Sequence, residues 1–170
     1  MHIRQATLDD LDILVPLFDG YRTFYKQESN LKGARLFLKQ RLESNESVVY
    51  IAFLPEFVQA GAKLPDEQIG SDIQNPESNE DQAVGFTQVY PFYSSVSMER
   101  MLVLNDLYIN PDFRGLGVGT ALIDTVKNLC RDLDQKGIAL QTAYDNPAQK
   151  LYEREGFKKD TDLQYFWQLE

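Results

Sequence analysis

The part of this chain that most constrains its fold is a glycine-rich stretch between two apolar runs of different periodicity. The run before it, Met101 to Ile109, has the composition of a β-strand, and the run after it, Ala121 to Leu133, repeats apolar residues at helical spacing. Glycines at alternate positions let the backbone turn tightly, and the unpaired N–H groups at a helix start favour an anion. The stretch therefore predicts a phosphate-binding turn, formed by Arg114, Gly115, Leu116, Gly117, Val118, Gly119 and Thr120.

Two familiar phosphate-binding motifs do not match this stretch. A P-loop requires Gly-Lys followed by Ser or Thr, and the chain has no such triplet. The dinucleotide fingerprint also fails, because its third glycine would fall at Thr120 when counted from Gly115 and at Leu122 when counted from Gly117. The spacing that remains is Arg-x-x-Gly-x-Gly, and a nucleotide-binding regulatory module is disfavoured.

A second block of residues follows the glycine turn and carries a family resemblance together with it. It consists of Asn146, Ala148, Leu151-Tyr152 and Gly156-Phe157. The two blocks resemble the GNAT family of N-acetyltransferases, whose acyl-CoA turn reads Gln/Arg-x-x-Gly-x-Gly/Ala and whose last segment reads Asn-x-x-Ala-x-x-Leu-Tyr-x-x-x-Gly-Phe. One spacer differs, since Ala148 follows Asn146 by two positions. The opening residues 3–10 are similar to the family's first strand and helix start, so the resemblance covers nearly the whole chain.

The resemblance implies a fold and a co-substrate. The fold is α/β (α+β), a mixed and mostly antiparallel sheet flanked by helices, with acetyl-CoA held where the central strands splay apart. The glycine turn would bind the pyrophosphate through backbone N–H groups, and the strand edge at Leu107, Tyr108 and Ile109 would pair with the pantetheine amides. Asn146 would contact the pantetheine region or orient water, and it also suits an N-cap for the helix that follows.

The resemblance also implies direct attack of an amine on the thioester in a ternary complex. Tyr152 lies where the family places the tyrosine that protonates the departing thiolate. The general base stays open between Asp106 and Glu99, which lie on or near the central strand. An aromatic wall for a cationic amine or its alkyl chain is predicted from Tyr21, Tyr25, Tyr90 and Phe92.

The leading interpretation is an acetyl-CoA-dependent N-acetyltransferase acting on a primary amine. The acceptor is a small polyamine, an amino-acid-like molecule or a protein lysine. The aromatic runs at 21–25 and 90–95 resemble a subgroup of diamine, polyamine and histone-type acetyltransferases. The alternative is a non-catalytic acyl-CoA-binding sensor that keeps the fold and has lost turnover.

The amino-acid composition limits the ligands, partners and cellular locations that can be expected. The net charge of −9 disfavours nucleic acid, because an acidic surface repels phosphates. One histidine and one cysteine leave no metal site and no internal disulfide to expect. The chain shows neither a signal-peptide pattern nor a long apolar run, so a cytoplasmic protein away from membranes is expected, with a nuclear location as the alternative. A homodimer is expected by analogy with family members.

A single domain over residues 1–170 is predicted, with a flexible acidic insert at 55–82 joining two adjacent antiparallel strands. Residues 66–82 carry six excess negative charges and no Lys or Arg: Asp66, Glu67, Asp72, Glu77, Glu80 and Asp81. A helix is predicted over 31–43, and Thr7 with Asp10 predicts a capping box at an earlier helix start. After the glycine turn we expect a strand over 138–143, a helix over 147–155 and a closing strand over 163–169.

Overall fold

The computed structural model describes residues 1–56, 58, 81–162 and 164–169. Within them the chain forms a five-stranded sheet of order β1-β2-β3-β4-β5. Neighbouring strands are antiparallel except for the last pair, in which β5 runs parallel to β4. The predicted mixed, mostly antiparallel sheet is confirmed. Its strands are β1 (His2–Gln5), β2 (Val48–Pro55), β3 (Asp81–Ser94), β4 (Glu99–Ile109) and β5 (Ile138–Ala139).

Helices cover both faces of the sheet. On one face α1 and α2 pack against the side chains of Ile51 and Phe86, and on the other α3 packs against Leu54 and Val84. The bounds of α2 match the predicted ones because the apolar stripe and the Asn30 cap, whose side chain accepts from the Gly33 N–H, both fix them. The helices are α1 (Leu11–Phe24), α2 (Leu31–Glu43), α3 (Val118–Asp132) and α4 (Gln149–Arg154).

A 3₁₀ turn over Leu8–Asp10 leads directly into α1 and shows the predicted capping pair. The Thr7 N–H donates to the Asp10 carboxylate over 2.8 Å, and both guanidinium ends of Arg4 donate to the same carboxylate over 2.6 and 2.8 Å. The Arg4 guanidinium lowers the pKa of Asp10 to about 2. Pro16 lies inside α1 and does not end it, so the helix reaches Phe24 and the aromatic residues beside it.

The acidic insert joins neighbouring strands, as predicted. Pro55 at the end of β2 pairs with Asp81 at the start of β3, so the two ends of the insert are neighbours in the sheet. The predicted flexibility of residues 55–82 concerns a segment that lies almost entirely outside the described residues. The assignment of 1–170 to one domain stays a prediction.

The last part of the chain differs from the prediction. The strand expected over 138–143 pairs only at Ile138 and Ala139, and the helix expected over 147–155 is the shorter α4. Residues 164–169 form no strand, and the side chains of Tyr165 and Trp167 are 86% and 79% exposed. The alternating apolar pattern favours a strand locally, but a strand requires a partner. In the described residues the outer edge of β5 offers a ladder of two residues, which is too short to hold another strand.

Candidate active site

The cavity of the protein opens where β4 and β5 part. The two strands pair only at Leu102↔Ile138 and Val103↔Ala139. Next along β4 comes a bulge, because Leu104 pairs with Val89 and Asp106 with Gln88, which leaves Asn105 without a partner across the sheet. The freed edge of β4 lines a cavity of about 530 Å³. Leu107, Tyr108 and Ile109, the predicted cofactor edge, all line it.

The glycine turn forms one end of this cavity. Gly115 and Gly117 have φ of +80° and +76°, and Gly117 is the N-cap of α3. A Cβ at either position would meet no atom within 4 Å, so the requirement for glycine there is conformational and the turn faces open space. Within α3 the Ala121 N–H bonds to the Gly117 carbonyl, and the N–H groups of the preceding helical residues have no place in the helix ladder.

The third glycine has a different role. A Cβ on Gly119 would lie 3.0 Å from Cδ2 of Leu151, so this position admits the close approach of α4 to α3. Gly119 also lines the cavity, so its predicted role in cofactor binding stays a prediction. Leu116 turns away from the cavity, since it is buried in the core cluster with Leu122. The other predicted residues of the turn line the cavity: Arg114, Gly115, Gly117, Val118, Gly119 and Thr120.

The charge lining the cavity is positive, although the chain carries a net charge of −9. Among the described lining residues, Arg114 and Arg154 are the charged ones, and no Asp or Glu is present. Arg114 is held in place because its Nε donates to the Ile109 carbonyl over 3.3 Å and its guanidinium lies 5.5 Å from the centre of the Phe24 ring. Two cations beside a helix N-terminus favour a phosphate-bearing ligand.

Tyr152 and Asn146 line the cavity beside the turn. The Asn146 carboxamide oxygen accepts from the Ala148 N–H over 2.9 Å, so it caps the turn that leads into α4. Its amide nitrogen donates to the Tyr25 hydroxyl over 3.3 Å. Burial raises the pKa of Tyr152 to about 12, with a smaller contribution from Tyr25. Tyr152 is therefore a protonated phenol at neutral pH, as a proton donor must be.

Tyr21 and Tyr25 form the aromatic wall of the cavity at the end of α1. Their rings meet edge to face with centres 5.1 Å apart. The Tyr21 hydroxyl lies between the Asn105 carbonyl, 3.4 Å away, and the carboxylate of Asp106. Asp106 is only 3% exposed, and burial raises its pKa although the Asn105 amide donates a hydrogen bond to it over 3.1 Å and the Tyr21 hydroxyl lies nearby. Burial and the nearby carboxylate also raise the pKa of Tyr21.

The remaining predicted residues lie elsewhere. Tyr90 and Phe92 do not line the cavity, because they follow the bulge and continue along β3 towards its hairpin, where Phe92 pairs with Met101. Glu99 stands at the far end of β4 beside Lys136, whose Nζ is 3.7 Å from its carboxylate. The sequence reading missed Arg154 and Gln141, which both line the cavity. Arg154 follows Leu151 by three residues, so helical spacing could have indicated it.

The described part of the chain offers neither a cluster of metal ligands nor a helix that could cross a membrane. In residues 1–56, 58, 81–162 and 164–169, no group of three or more His, Cys, Asp or Glu side chains could hold a metal ion. Nor does any helix in those ranges have the length and apolar character needed to cross a bilayer.

Comparison with known proteins gives the class that this fold and cavity define. Residues 77–159 match the family model described as an acetyltransferase (GNAT) domain. The chain is 40% identical over 167 residues to YhfO of Bacillus subtilis (strain 168), described as an uncharacterized N-acetyltransferase, with 98% of this chain and 95% of that protein covered.

Two solved structures share this fold. A crystal structure of a probable acetyltransferase is 36% identical, has a TM-score of 0.78, and is matched over 99% of this chain and 97% of its own. An aminoglycoside N-acetyltransferase in complex with CoA shares the fold, with a TM-score of 0.72 at 16% identity, over 98% of this chain and 93% of its own.

These matches define an acetyltransferase. The chain belongs to the GNAT family of N-acetyltransferases. The family resemblance seen in the glycine turn and in the block around Tyr152 is thereby confirmed.

Proposed function

We propose that this N-acetyltransferase moves an acetyl group from acetyl-CoA to a primary amine by direct attack in a ternary complex. The observation that carries the proposal is the cavity itself. Its glycine turn and its two cations, Arg114 and Arg154, fit the phosphates of CoA, and the free edge of β4 fits the amides of the pantetheine arm. Tyr152 stands in the same cavity beside the turn.

The proposed step forms a C–N bond and breaks the C–S bond of the thioester. The amine attacks after losing a proton, and the sulfur leaves as negative charge develops on it. Tyr152 donates a hydrogen bond and then its proton to that sulfur. Its high pKa makes it a donor that is fully protonated before the reaction begins. Backbone N–H groups of the β4 edge polarise the thioester carbonyl.

The surroundings of the two candidate general bases distinguish them. Glu99 lies at the far end of β4 beside Lys136 and does not line the cavity. Asp106 is buried close to Tyr21, which lines the cavity. We therefore propose that Asp106 accepts the proton of the amine through the Tyr21 hydroxyl: the phenol takes up the ammonium proton as its own passes to the carboxylate.

The acceptor that we propose is a cationic primary amine, either a small polyamine or amino-acid-like amine or a protein lysine. The rings of Tyr21 and Tyr25 offer their faces and edges to an alkylammonium group, and the buried Asp106 supplies negative charge behind them. Tyr90 and Phe92 take no part in this wall.

The test is CoA release from acetyl-CoA with a panel of amines. The panel contains an aliphatic diamine, a polyamine, free amino acids and lysine peptides, and acetyl-CoA binding is measured in parallel. Release that depends on one class of amine supports the proposal and names the acceptor. Tight acetyl-CoA binding with no release above background for any amine would favour the alternative, a non-catalytic acyl-CoA-binding sensor.

We further propose a cytoplasmic location and a homodimer. The exposed C-terminal side chains support the dimer: Tyr165, Phe166, Trp167 and Leu169 are 79–86% exposed. Large side chains of this kind cover about 700 Å² together, close to the roughly 800 Å² that each partner buries in a stable interface. A second copy of the chain is the occupant that we propose for this segment.

Trp167 is the one tryptophan of the sequence and reports on the dimer directly. We expect blue-shifted emission in a dimer and a red shift as the dimer dissociates on dilution, with Phe166→Ser giving a monomer. A protein that stays monomeric by light scattering at every concentration would contradict the dimer, whatever its emission.

A further inference from the structure

The helix that carries Tyr152 is too short to hold its own position. It spans Gln149–Arg154, six residues, and isolated helices of that length are not stable in water. Its orientation therefore depends on contacts with its neighbours. The position of the Tyr152 hydroxyl in the cavity depends on the same contacts.

Two contacts hold α4 and the residue after it against α3. Leu151 packs into the space left by Gly119, where a Cβ would be 3.0 Å from Cδ2 of the leucine. One residue after α4, the carboxylate of Glu155 accepts from the Thr120 hydroxyl over 2.8 Å and from Lys127 Nζ over 3.0 Å. Both carboxylate oxygens are therefore occupied, by residues about two turns apart on the same helix.

The Glu155 carboxylate is buried between α3 and the end of α4. The Glu155 side chain is only 10% exposed. Burial alone would raise its pKa, but the bonds from Lys127 and Thr120 outweigh that effect and hold the pKa below the ordinary value. Glu155 is thus an ionised group held between α3 and the end of α4.

Thr120 connects this pair to the cofactor site. It lines the cavity as part of the glycine turn, but its hydroxyl donates a hydrogen bond to Glu155. Its backbone N–H is therefore the group that is left for a phosphate. One residue thereby belongs to both the phosphate-binding turn and the contact that holds the Tyr152 helix.

We infer that Glu155 is a positioning residue: through Thr120 it fixes the distance between the phosphate-binding turn and the Tyr152 hydroxyl. The inference rests on the proposed function, in which the turn holds the CoA phosphates and Tyr152 meets the sulfur at the other end of the pantetheine arm. A fixed separation keeps the phenol beside the sulfur whenever the phosphates are seated.

Two pairs of variants test the inference. Glu155→Ala and Thr120→Val each break the link, whereas Glu155→Gln and Thr120→Ser each keep the Thr120–Glu155 hydrogen bond. Glu153→Ala is the matched control, because Glu153 on the same helix makes an exposed pair with Lys159 over 2.9 Å.

We expect Glu155→Ala and Thr120→Val to lower kcat by about 100-fold, the loss that a misplacement of about 1 Å causes. The double variant should be no slower than the slower single one, because both changes remove one interaction. Glu155→Gln and Thr120→Ser should recover most of the rate, and Glu153→Ala should leave it unchanged. Rates are expressed per folded molecule, so lost stability alone would not produce this pattern.

A second readout does not require turnover. The Tyr152 pKa, followed by NMR of a ring-labelled tyrosine, should fall from about 12 towards 10 in Glu155→Ala as the phenol becomes more exposed. It should stay high in Glu155→Gln and Glu153→Ala. An unchanged Tyr152 pKa and an unchanged kcat in Glu155→Ala would overturn the inference. If the wild type acetylated no amine, the proposed function would fail while the pKa measurement still decided the role of Glu155.

Discussion

The amide nitrogen of Asn146 donates a hydrogen bond to the Tyr25 hydroxyl, 3.3 Å away, and so joins the end of α1 to the loop before α4. On the adjacent residue of α1, the Phe24 ring lies under the Arg114 guanidinium of the glycine turn. The end of α1 therefore contacts the cavity from two sides. All four residues of these two contacts line the cavity.

Removing the Tyr25 hydroxyl should speed the release of acetyl-CoA. Tyr25→Phe keeps the ring and its edge-to-face contact with Tyr21 but loses the bond from Asn146. A hydrogen bond of this kind contributes about 1 kcal/mol, so the dissociation rate should rise about fivefold. Stopped-flow displacement of bound CoA measures it, with Tyr144→Phe as control because Tyr144 is fully exposed. Equal rates in the two variants would show that the bond does not retain the ligand.

Tyr152→Phe should slow the chemical step and leave CoA binding intact. The proton donor to the leaving sulfur is lost, and general acid catalysis contributes about 100-fold or more. The ring still packs edge to face on Phe157, 6.1 Å between centres, so the site keeps its shape. Steady-state kcat and the Kd of CoA measure the two effects. An unchanged kcat would remove Tyr152 from the acid role.

Gly117→Val should abolish tight binding of acetyl-CoA. Gly117 has φ of +76°, a conformation in which a β-branched residue is strained, so the N-terminus of α3 must rearrange. Gly137→Val is the matched control, since Gly137 also faces open space and lacks a positive φ. Calorimetric titration with CoA compares the two. Retained affinity in Gly117→Val would contradict the role of the turn as a phosphate cradle.

Activity should decline in acid as Asp106 takes up a proton. A base must be ionised, and burial raises the Asp106 pKa, so kcat/KM should fall as the pH drops through a midpoint above the ordinary carboxyl value of about 3.9. Asp106→Asn should lower kcat/KM and remove this acidic limb. Glu99→Gln should leave kcat/KM and its decline in acid unchanged, because Glu99 does not line the cavity. Persistence of the limb in Asp106→Asn would assign the base elsewhere.

Local sequence signals predicted much of the fold. The apolar stripe predicts α2, the Thr7–Asp10 pair predicts the capping box that precedes α1, and the glycine-rich stretch predicts the turn that opens α3. Each of these features depends on residues close together in the chain, so periodicity and capping chemistry suffice to find them.

Features that depend on distant residues were not predicted. Tyr90 and Phe92 were expected in the cavity, but the bulge at Asn105 and the course of β3 carry them away from it. The C-terminal aromatic run resembles a strand yet has no partner in the described sheet. The bond between Thr120 and Glu155 joins residues 35 positions apart, and their separation in the sequence gives no sign of it.

The most direct test of the proposed chemistry follows CoA release and acetylated amine in one reaction. Wild-type protein with acetyl-CoA should release CoA only when an amine of the accepted class is added, with one acetylated amine formed per CoA, and Tyr152→Phe should slow both together. Tight acetyl-CoA binding with no acetylated amine from any member of the panel would contradict the account.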